Sequence, residues 1–302
     1  MDEIYSRMPS ISIFLLTLAV TSVIANRVKP PEPAHKGQFS DADEMKKIAT
    51  KVSSWSPNDE VNVWEMSGLF EGDIMMSEDN NIKNIILDED KYWPGGVLPY
   101  YIVEEDFSEE EVEIIRKAIK DYKKKTCVSI RPYRKGDEDF VMVQGNNTGC
   151  WSYVGRKNGG QVLNLQTPGC VHHGIVIHEF LHALGFYHQQ SAHDRDDYVK
   201  ILWENIKEGK EGNFRKYNET LVTDYGIGYD YGSIMHYSKK AFSKNGEPTI
   251  VPLMLTDIIG VSEHHLNNWT IQKLPLPGYR LAGCLSRSSL GSGHVPKQQY
   301  PI

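Results

Sequence analysis

Residues His178 to His188 read His-Glu-Phe-Leu-His-Ala-Leu-Gly-Phe-Tyr-His, so three imidazoles, one carboxylate and one glycine share a single short run. Histidines four apart on a helix project from one face, one turn above the other. His178 and His182 have that spacing. Two neutral imidazoles so placed can bind one zinc ion, at about 2.0–2.1 Å for each Zn–N bond. Glu179 points off their common axis. It can stand beside the metal without ligating it and take a proton from a water whose pKa the metal lowers to about 7. Gly185, a residue suited to ending a helix, allows the chain to turn back and bring His188 to the same ion. Three protein ligands with one position left for water describe a catalytic zinc rather than a closed structural one. A bare His-Glu-x-x-His also arises by chance on surface helices. The added glycine and third histidine at fixed offsets argue against that reading.

Zinc runs of this extended kind are accompanied by a methionine-bearing turn beneath the metal. Ser233-Ile234-Met235-His236-Tyr237 stands about fifty residues downstream. On spacing alone, Met235 and Tyr237 read equally well as core residues. Taken together with Gln190-Ser191 and Asp194-Arg195-Asp196-x-Tyr198, these segments resemble the astacin family of zinc endopeptidases, a branch of the metzincins. The single-domain layout is similar to that of its hatching enzymes. The resemblance implies an α+β fold of two subdomains. An active-site cleft would lie between a mixed α/β N-terminal half and a mostly irregular C-terminal half. It implies one Zn2+ per subunit held by His178, His182 and His188, with Glu179 as general base and then general acid. It also implies that Tyr237 is a further ligand in the resting enzyme, one that swings away to stabilise the oxyanion when substrate binds.

Several segments must position and deliver such a site. Phe70-Glu71-Gly72-Asp73 resembles the family's propeptide motif, in which the aspartate ligates zinc and keeps the zymogen inactive; Asp73 is that residue here. Trp93-Pro94-Gly95-Gly96-Val97-Leu98-Pro99-Tyr100 resembles the first strand of the mature domain. Ser108 and Glu111 form a capping box that opens an amphipathic helix with Val112, Ile115, Ala118, Ile119 and Tyr122 on its apolar face. Lys123, Lys124 and Lys125 complement that helix's C-terminal dipole. Strands are expected at Val128–Arg131 and Phe140–Gln144. Gly159 to Leu165 resembles the family's upper-rim edge strand, to which an extended peptide adds by backbone hydrogen bonds. Val171 to Leu184 is the expected zinc-site helix. Asp41 to Ser53 reads as a short helix, and Asn26 to Ser40 as a linker.

The chain has 302 residues, 40% hydrophobic and 24% charged, with a net charge of −7, which suits a globular protein and leaves no basic footprint for nucleic acid. Ile11 to Ala25 has the length of a secretory apolar region and is short for a transmembrane helix. The expected organisation is therefore a signal peptide at 1–25 and a propeptide with its aspartate switch at 26–83. A catalytic domain follows at 84–284 and a short tail at 285–302. The four cysteines allow two disulfides in three pairings. The resemblance implies Cys127–Cys284 and Cys150–Cys170. Asn146, Asn218 and Asn268 stand in glycosylation sequons. These features describe a secreted, extracellular monomer that acts on protein or peptide substrates, with a trypsin-like activator cleaving near Lys83. The alternative is a catalytically inactive zinc-binding glycoprotein on the same scaffold.

The chain departs from the family where Gln189 replaces a glutamate after the third ligand and Ala192 replaces an arginine. The first change weakens the expected contact with the new N-terminus. Pro275 and Pro277 interrupt the expected last helix. Arg156 and Lys157 could favour acidic substrates, or could simply form a solvated turn.

Overall fold

The structure, a computed structural model, describes residues 28–39, 41–76, 89–218, 228–254 and 259. The proposed signal peptide, activation point, C-terminal tail, Cys284, Asn268 and the two late prolines lie outside these residues.

A five-stranded sheet carries the N-terminal half. Its strands are β1 (Val97–Ile102), β2 (Ser129–Pro132), β3 (Val141–Gln144), β4 (Cys150–Ser152) and β5 (Gln161–Leu165), in the order β2-β1-β3-β5-β4. All neighbours are parallel except the antiparallel β4–β5 pair. Every residue of β5 and three of the four in β3 are buried. In β3 this shows as the unbroken apolar run Val141–Val143, whereas β5 also buries the polar Gln161 and Asn164. The expected edge strand is corrected: β5 lies inside the sheet between β3 and β4, and β4 is the edge. The Gly159–Leu165 segment therefore cannot offer a free edge to a peptide. The Cys-Trp-Ser strand that does form the edge is three residues long and carries almost no periodicity for a sequence pattern to show.

Among the described residues, three α-helices accompany the sheet: α1 (Ala42–Ser54), α2 (Glu109–Lys125) and α3 (His173–Ala183). Asp41 caps α1 through its side chain. Both halves of the Ser108–Glu111 capping box are formed on α2. The five expected apolar residues of α2 are all buried, Val112, Ile115 and Ile119 each contributing about 1.5–3 kcal/mol. They pack against α3, whose residues from Gly174 to Ala183 are buried all round. A helix buried on every side lies inside the molecule, and here His178, Glu179 and His182 are its buried polar residues. Residues 34–39, expected to be a linker, instead lie against the sheet. His35 bridges Gln161, and the Gly37 N–H donates to the Tyr153 hydroxyl at 3.0 Å.

A second, smaller core serves the C-terminal half. It joins β6 (Val199–Ile201) and β7 (Ile250–Pro252), which pair antiparallel, to Phe214, Tyr229, Tyr237 and Ala241. Ile234 and Met235 belong to the first core and Tyr237 to the second. The Ser233–Tyr237 turn thus ties the halves together. Cys150 and Cys170 form a disulfide. No helix among the described residues is long and apolar enough to cross a membrane.

Candidate metal centre

Helix α3 is held by its backbone. The Tyr122 hydroxyl donates to the Ile177 carbonyl at 2.6 Å, and the Trp93 indole N–H donates to the Ala183 carbonyl at 2.7 Å. The helix ends where the sequence indicates. Gly185 adopts φ +109°, its N–H bonds the His182 carbonyl at 2.8 Å, and the Phe186 N–H reaches the Leu181 carbonyl at 3.0 Å. This paired closure is the Schellman motif, and its left-handed residue explains the glycine. The same turn aims the Phe186 carbonyl back at His182.

The four candidate ligands converge: His178, His182, His188 and Asp73, all buried, offer atoms within 4.8 Å of one another. The Nε2 of His178 lies 3.1 Å from that of His182 and 3.3 Å from that of His188. Asp73 places Oδ2 2.8 Å from His178 Nε2 and 3.4 Å from His188 Nε2, with Oδ1 3.4 Å from His182 Nε2. A tetrahedron of ligands about 2.0–2.1 Å from its centre has edges of about 3.3–3.4 Å. Most of these separations match that figure.

The proton count also asks for a cation. His178 Nδ1 donates to the Ile234 carbonyl and His182 Nδ1 to the Phe186 carbonyl, each at 2.8 Å. His188 Nδ1 donates to Glu71 Oε2 at 2.8 Å. With the outer nitrogens protonated, neutral rings turn three Nε2 lone pairs toward one another and toward a carboxylate. Asp73 Oδ1 is buried without a hydrogen bond. Burial alone would depress His188, but Asp73 and then Glu71 outweigh it and raise its pKa to about 10. The carboxylates thus favour a positive charge beside His188, whether a proton or a metal ion, while burial keeps His178 neutral. A zinc ion supplies such a charge and suits the His and carboxylate donor set.

Glu179 stands beside the cluster. Both its carboxylate oxygens are buried with no hydrogen-bond partner. Burial, then the charge of Asp73, raises its pKa well above the ordinary carboxylate value. The Tyr237 hydroxyl donates to the Glu71 carbonyl at 2.7 Å, so in this state it is engaged by the backbone of the 69–74 turn. Met235 is buried in the main core, and its carbonyl accepts the Gln189 N–H at 2.8 Å.

The stretch bearing Asp73 occupies the cleft over a broad front. The Ser152 N–H donates to the Asp73 carbonyl at 3.0 Å, and the Met75 N–H to the Ser152 carbonyl at 2.9 Å, so the stretch pairs parallel with the β4 edge. Trp64 stacks on His178 with ring centroids 4.3 Å apart. Glu65 accepts from the Ser238 N–H at 2.6 Å, the Ser238 hydroxyl at 2.8 Å and the Asn62 amide at 2.8 Å. The sequence motif points to Asp73 alone. Glu71 lies inside that motif without an assigned part, and Glu65 lies in no motif. Only the three-dimensional pairing reveals them. Arg156 is committed elsewhere. It bonds Asp139 at 2.5 Å and the carbonyls of Asp90 and Tyr92 at 2.7 and 3.0 Å. Lys157 is buried, with its ammonium 5.9 Å from the Tyr153 ring centroid. Asn146 is exposed in the turn before β4, and Asn218 is also exposed.

The profile of the astacin peptidase family matches residues 85–272. Zinc metalloproteinase nas-14 of Caenorhabditis elegans is 43% identical over 185 residues, 61% of this chain and 37% of that protein. Meprin A subunit beta of Mus musculus is 43% identical over 195 residues, 64% of this chain and 27% of its own length. The solved structure of high choriolytic enzyme 1, a hatching enzyme zinc-protease from Oryzias latipes, superposes with a TM-score of 0.58 at 37% identity. That match covers 63% of this chain and 96% of the hatching enzyme chain. The chain spans between 34% and 37% of the lengths of the first three nematode relatives it matches. The matched profile, the α+β architecture and a buried His–Asp cluster able to hold a metal ion agree, and the chain belongs to the astacin family.

Proposed function

We propose that the chain is a zinc-dependent endopeptidase made as a secreted zymogen, in which the stretch around Asp73 closes the active site until it is removed. The observation that carries this reading is Asp73, buried among the three histidines on a stretch that also takes the backbone groups of β4. His178, His182 and His188 are the residues that would hold zinc. Zinc there would supply Lewis acidity, polarising the scissile carbonyl and bringing the pKa of a nearby water to about 7.

The protein's own groups do the remaining work. Glu179 has no hydrogen bond to give up. It takes a proton from the attacking water and passes it to the leaving amine, as a general base and then acid. Burial, and then the charge of Asp73, raise the Glu179 pKa; departure of Asp73 removes the second of these causes. Tyr237, once released from the Glu71 carbonyl, becomes a donor for the developing oxyanion. The Ser152 N–H and carbonyl, freed from the stretch, can take an extended substrate backbone by strand addition. The arrangement suits protein and peptide substrates and makes Glu179 and Tyr237 the catalytic residues. On this reading residues 26–83 are the prosegment and 84–284 the catalytic domain. Export follows a signal at 1–25, a second disulfide joins Cys127 to Cys284, and Asn146, Asn218 and Asn268 are open to glycosylation. The activator is a trypsin-like protease, and the active enzyme works as a monomer.

The test is cleavage of casein or gelatin by trypsin-treated protein. Loss of cleavage with a chelator, recovery with zinc, and absence of cleavage in Glu179→Ala are expected. Cleavage that survives Glu179→Ala sinks the assigned mechanism.

A further inference from the structure

The three histidines are not supported alike. The outer nitrogens of His178 and His182 donate to backbone carbonyls, of Ile234 and Phe186, that the matched domain itself supplies. The outer nitrogen of His188 donates to Glu71, from the stretch that also carries Asp73. A partner on the outer nitrogen fixes a ligand's tautomer and ring orientation and raises its basicity toward metal. We propose that Glu71 is a positioning residue for zinc in the intact chain, fixing His188 through its outer nitrogen, and that this support departs with the prosegment.

The surroundings of Glu71 are built for that task. Its side chain is buried, with Oε2 on His188 and Oε1 accepting from the Ser191 hydroxyl at 3.0 Å and the Tyr217 hydroxyl at 2.6 Å. Its backbone N–H donates to Asn213 Oδ1 at 3.1 Å, and its carbonyl accepts from Tyr237 at 2.7 Å. Every polar group of the residue is thus taken by the catalytic half, between His188 and Tyr237. Its backbone sits at φ +48°, a left-handed conformation unusual for a side chain of this kind. Such a conformation persists where surrounding contacts over-determine it, and it is concentrated at functional sites. Gly72 follows at φ +97°, where a Cβ would meet the Glu65 Cα at 3.0 Å and the Trp64 carbonyl at 3.1 Å. The turn therefore delivers two carboxylates to opposite sides of one imidazole. Asp73 faces its inner nitrogen and Glu71 its outer one. Asp73 occupies the metal site, while Glu71 orients a ligand from behind.

The inference rests on the zymogen reading for the departure of Glu71, but not for its effect on zinc. The experiment is zinc affinity of the uncleaved full chain, measured by competition with a chromophoric chelator. Glu71→Ala is expected to weaken zinc binding by about 10- to 100-fold, the cost of losing such an outer partner. Glu71→Gln keeps an acceptor without the charge and is expected to lie between Ala and wild type, with a loss of roughly threefold or more. Zinc affinity of Glu71→Ala within about twofold of wild type overturns the inference. Cleavage that removes residue 71 converts variant and wild type into the same polypeptide. Equal peptidase activity after activation therefore certifies that the Ala variant folded. If it did not, Glu71→Gln carries the test, and an unchanged affinity contradicts the proposal. Should activated wild type cleave nothing, the endopeptidase reading fails while the zinc affinities still decide the part of Glu71.

Discussion

Two regions meet at the metal centre, and they are built from different materials. On one side, α3 is buried on all faces, apolar except where His178, Glu179 and His182 face the centre, and pinned through its carbonyls by Tyr122 and Trp93. On the other, residues 62–75 enter the cleft with little regular structure beyond one short turn of 3₁₀ helix; they bury Val63, Trp64, Ile74 and Met75 and add three buried carboxylates. Glu65 binds Ser238, Glu71 binds His188, Ser191 and Tyr217, and Asp73 faces the three imidazoles. Packing by apolar area involves no titratable group and so does not itself change with protonation. Buried carboxylates depend on the partners they find, and removing a partner leaves a costly unpaired group. The first material suits a permanent frame and the second a removable plug. Substitutions in α3 should therefore damage intact and activated protein alike. Substitutions in 62–75 should alter the intact chain alone.

The largest effect is expected inside α3. Glu179→Ala should lower kcat for peptide hydrolysis by about 10²–10⁴-fold in activated protein while zinc content stays at wild-type level; metal analysis beside the kinetics separates this from a lost ligand. Next comes the frame. Phe180 is fully buried against Tyr100 and Tyr122, and Phe180→Ala should destabilise the domain by about 3–5 kcal/mol in a urea titration. Equal stability there would mean that α3 is not held by its apolar packing. Gly185→Ala meets no neighbour within 4 Å, but φ is +109°. A cost of about 1–2 kcal/mol from backbone conformation alone is expected.

The remaining effect lies in the plug and depends on pH. Burial raises the Glu65 pKa from 4.5 to about 7 against the opposing hydrogen bonds of Ser238 and Asn62. Its neighbour His236 is held near 4 by burial and remains neutral across this range. The pKa is raised in the docked state. Its contribution to docking is thus fully present below pH 4.5 and is lost as pH rises through about 7. Hydrogen exchange of the 62–75 amides should accelerate, beyond the intrinsic chemistry, between about pH 5 and 8. Glu65→Gln should flatten that slope. A slope unchanged in the variant would assign it to another group.

Much of the frame is legible in the sequence, for physical reasons. The capping box at Ser108, the five-residue apolar face of α2 and the glycine closing α3 are local signals with fixed spacing, and each is realised. The convergence of His178, His182 and His188 follows from helical geometry plus one turn. The plug is less legible. Asp73 comes from a four-residue likeness. Glu65 and Glu71 act across sequence separations of 173 and 117 residues, and no local pattern reports such a pairing. The edge strand escapes sequence reading for a related reason. β4 has three residues, and its place at the margin is set by its partner and not by its own pattern. Arg156 reads as available because charge is visible in a sequence and a committed partner such as Asp139 is not.

The central claim is that Asp73 closes a competent site. The direct measurement is hydrolysis of a fluorogenic peptide by the uncleaved Asp73→Ala chain, with chain integrity checked by mass spectrometry before and after. The expected result is hydrolysis at least about tenfold above the uncleaved wild type, since one lost charge-assisted contact is worth about 1.5–3 kcal/mol, with both proteins reaching the same rate after trypsin treatment. An uncleaved Asp73→Ala chain as silent as wild type, beside a fully active trypsin-treated form, would contradict it.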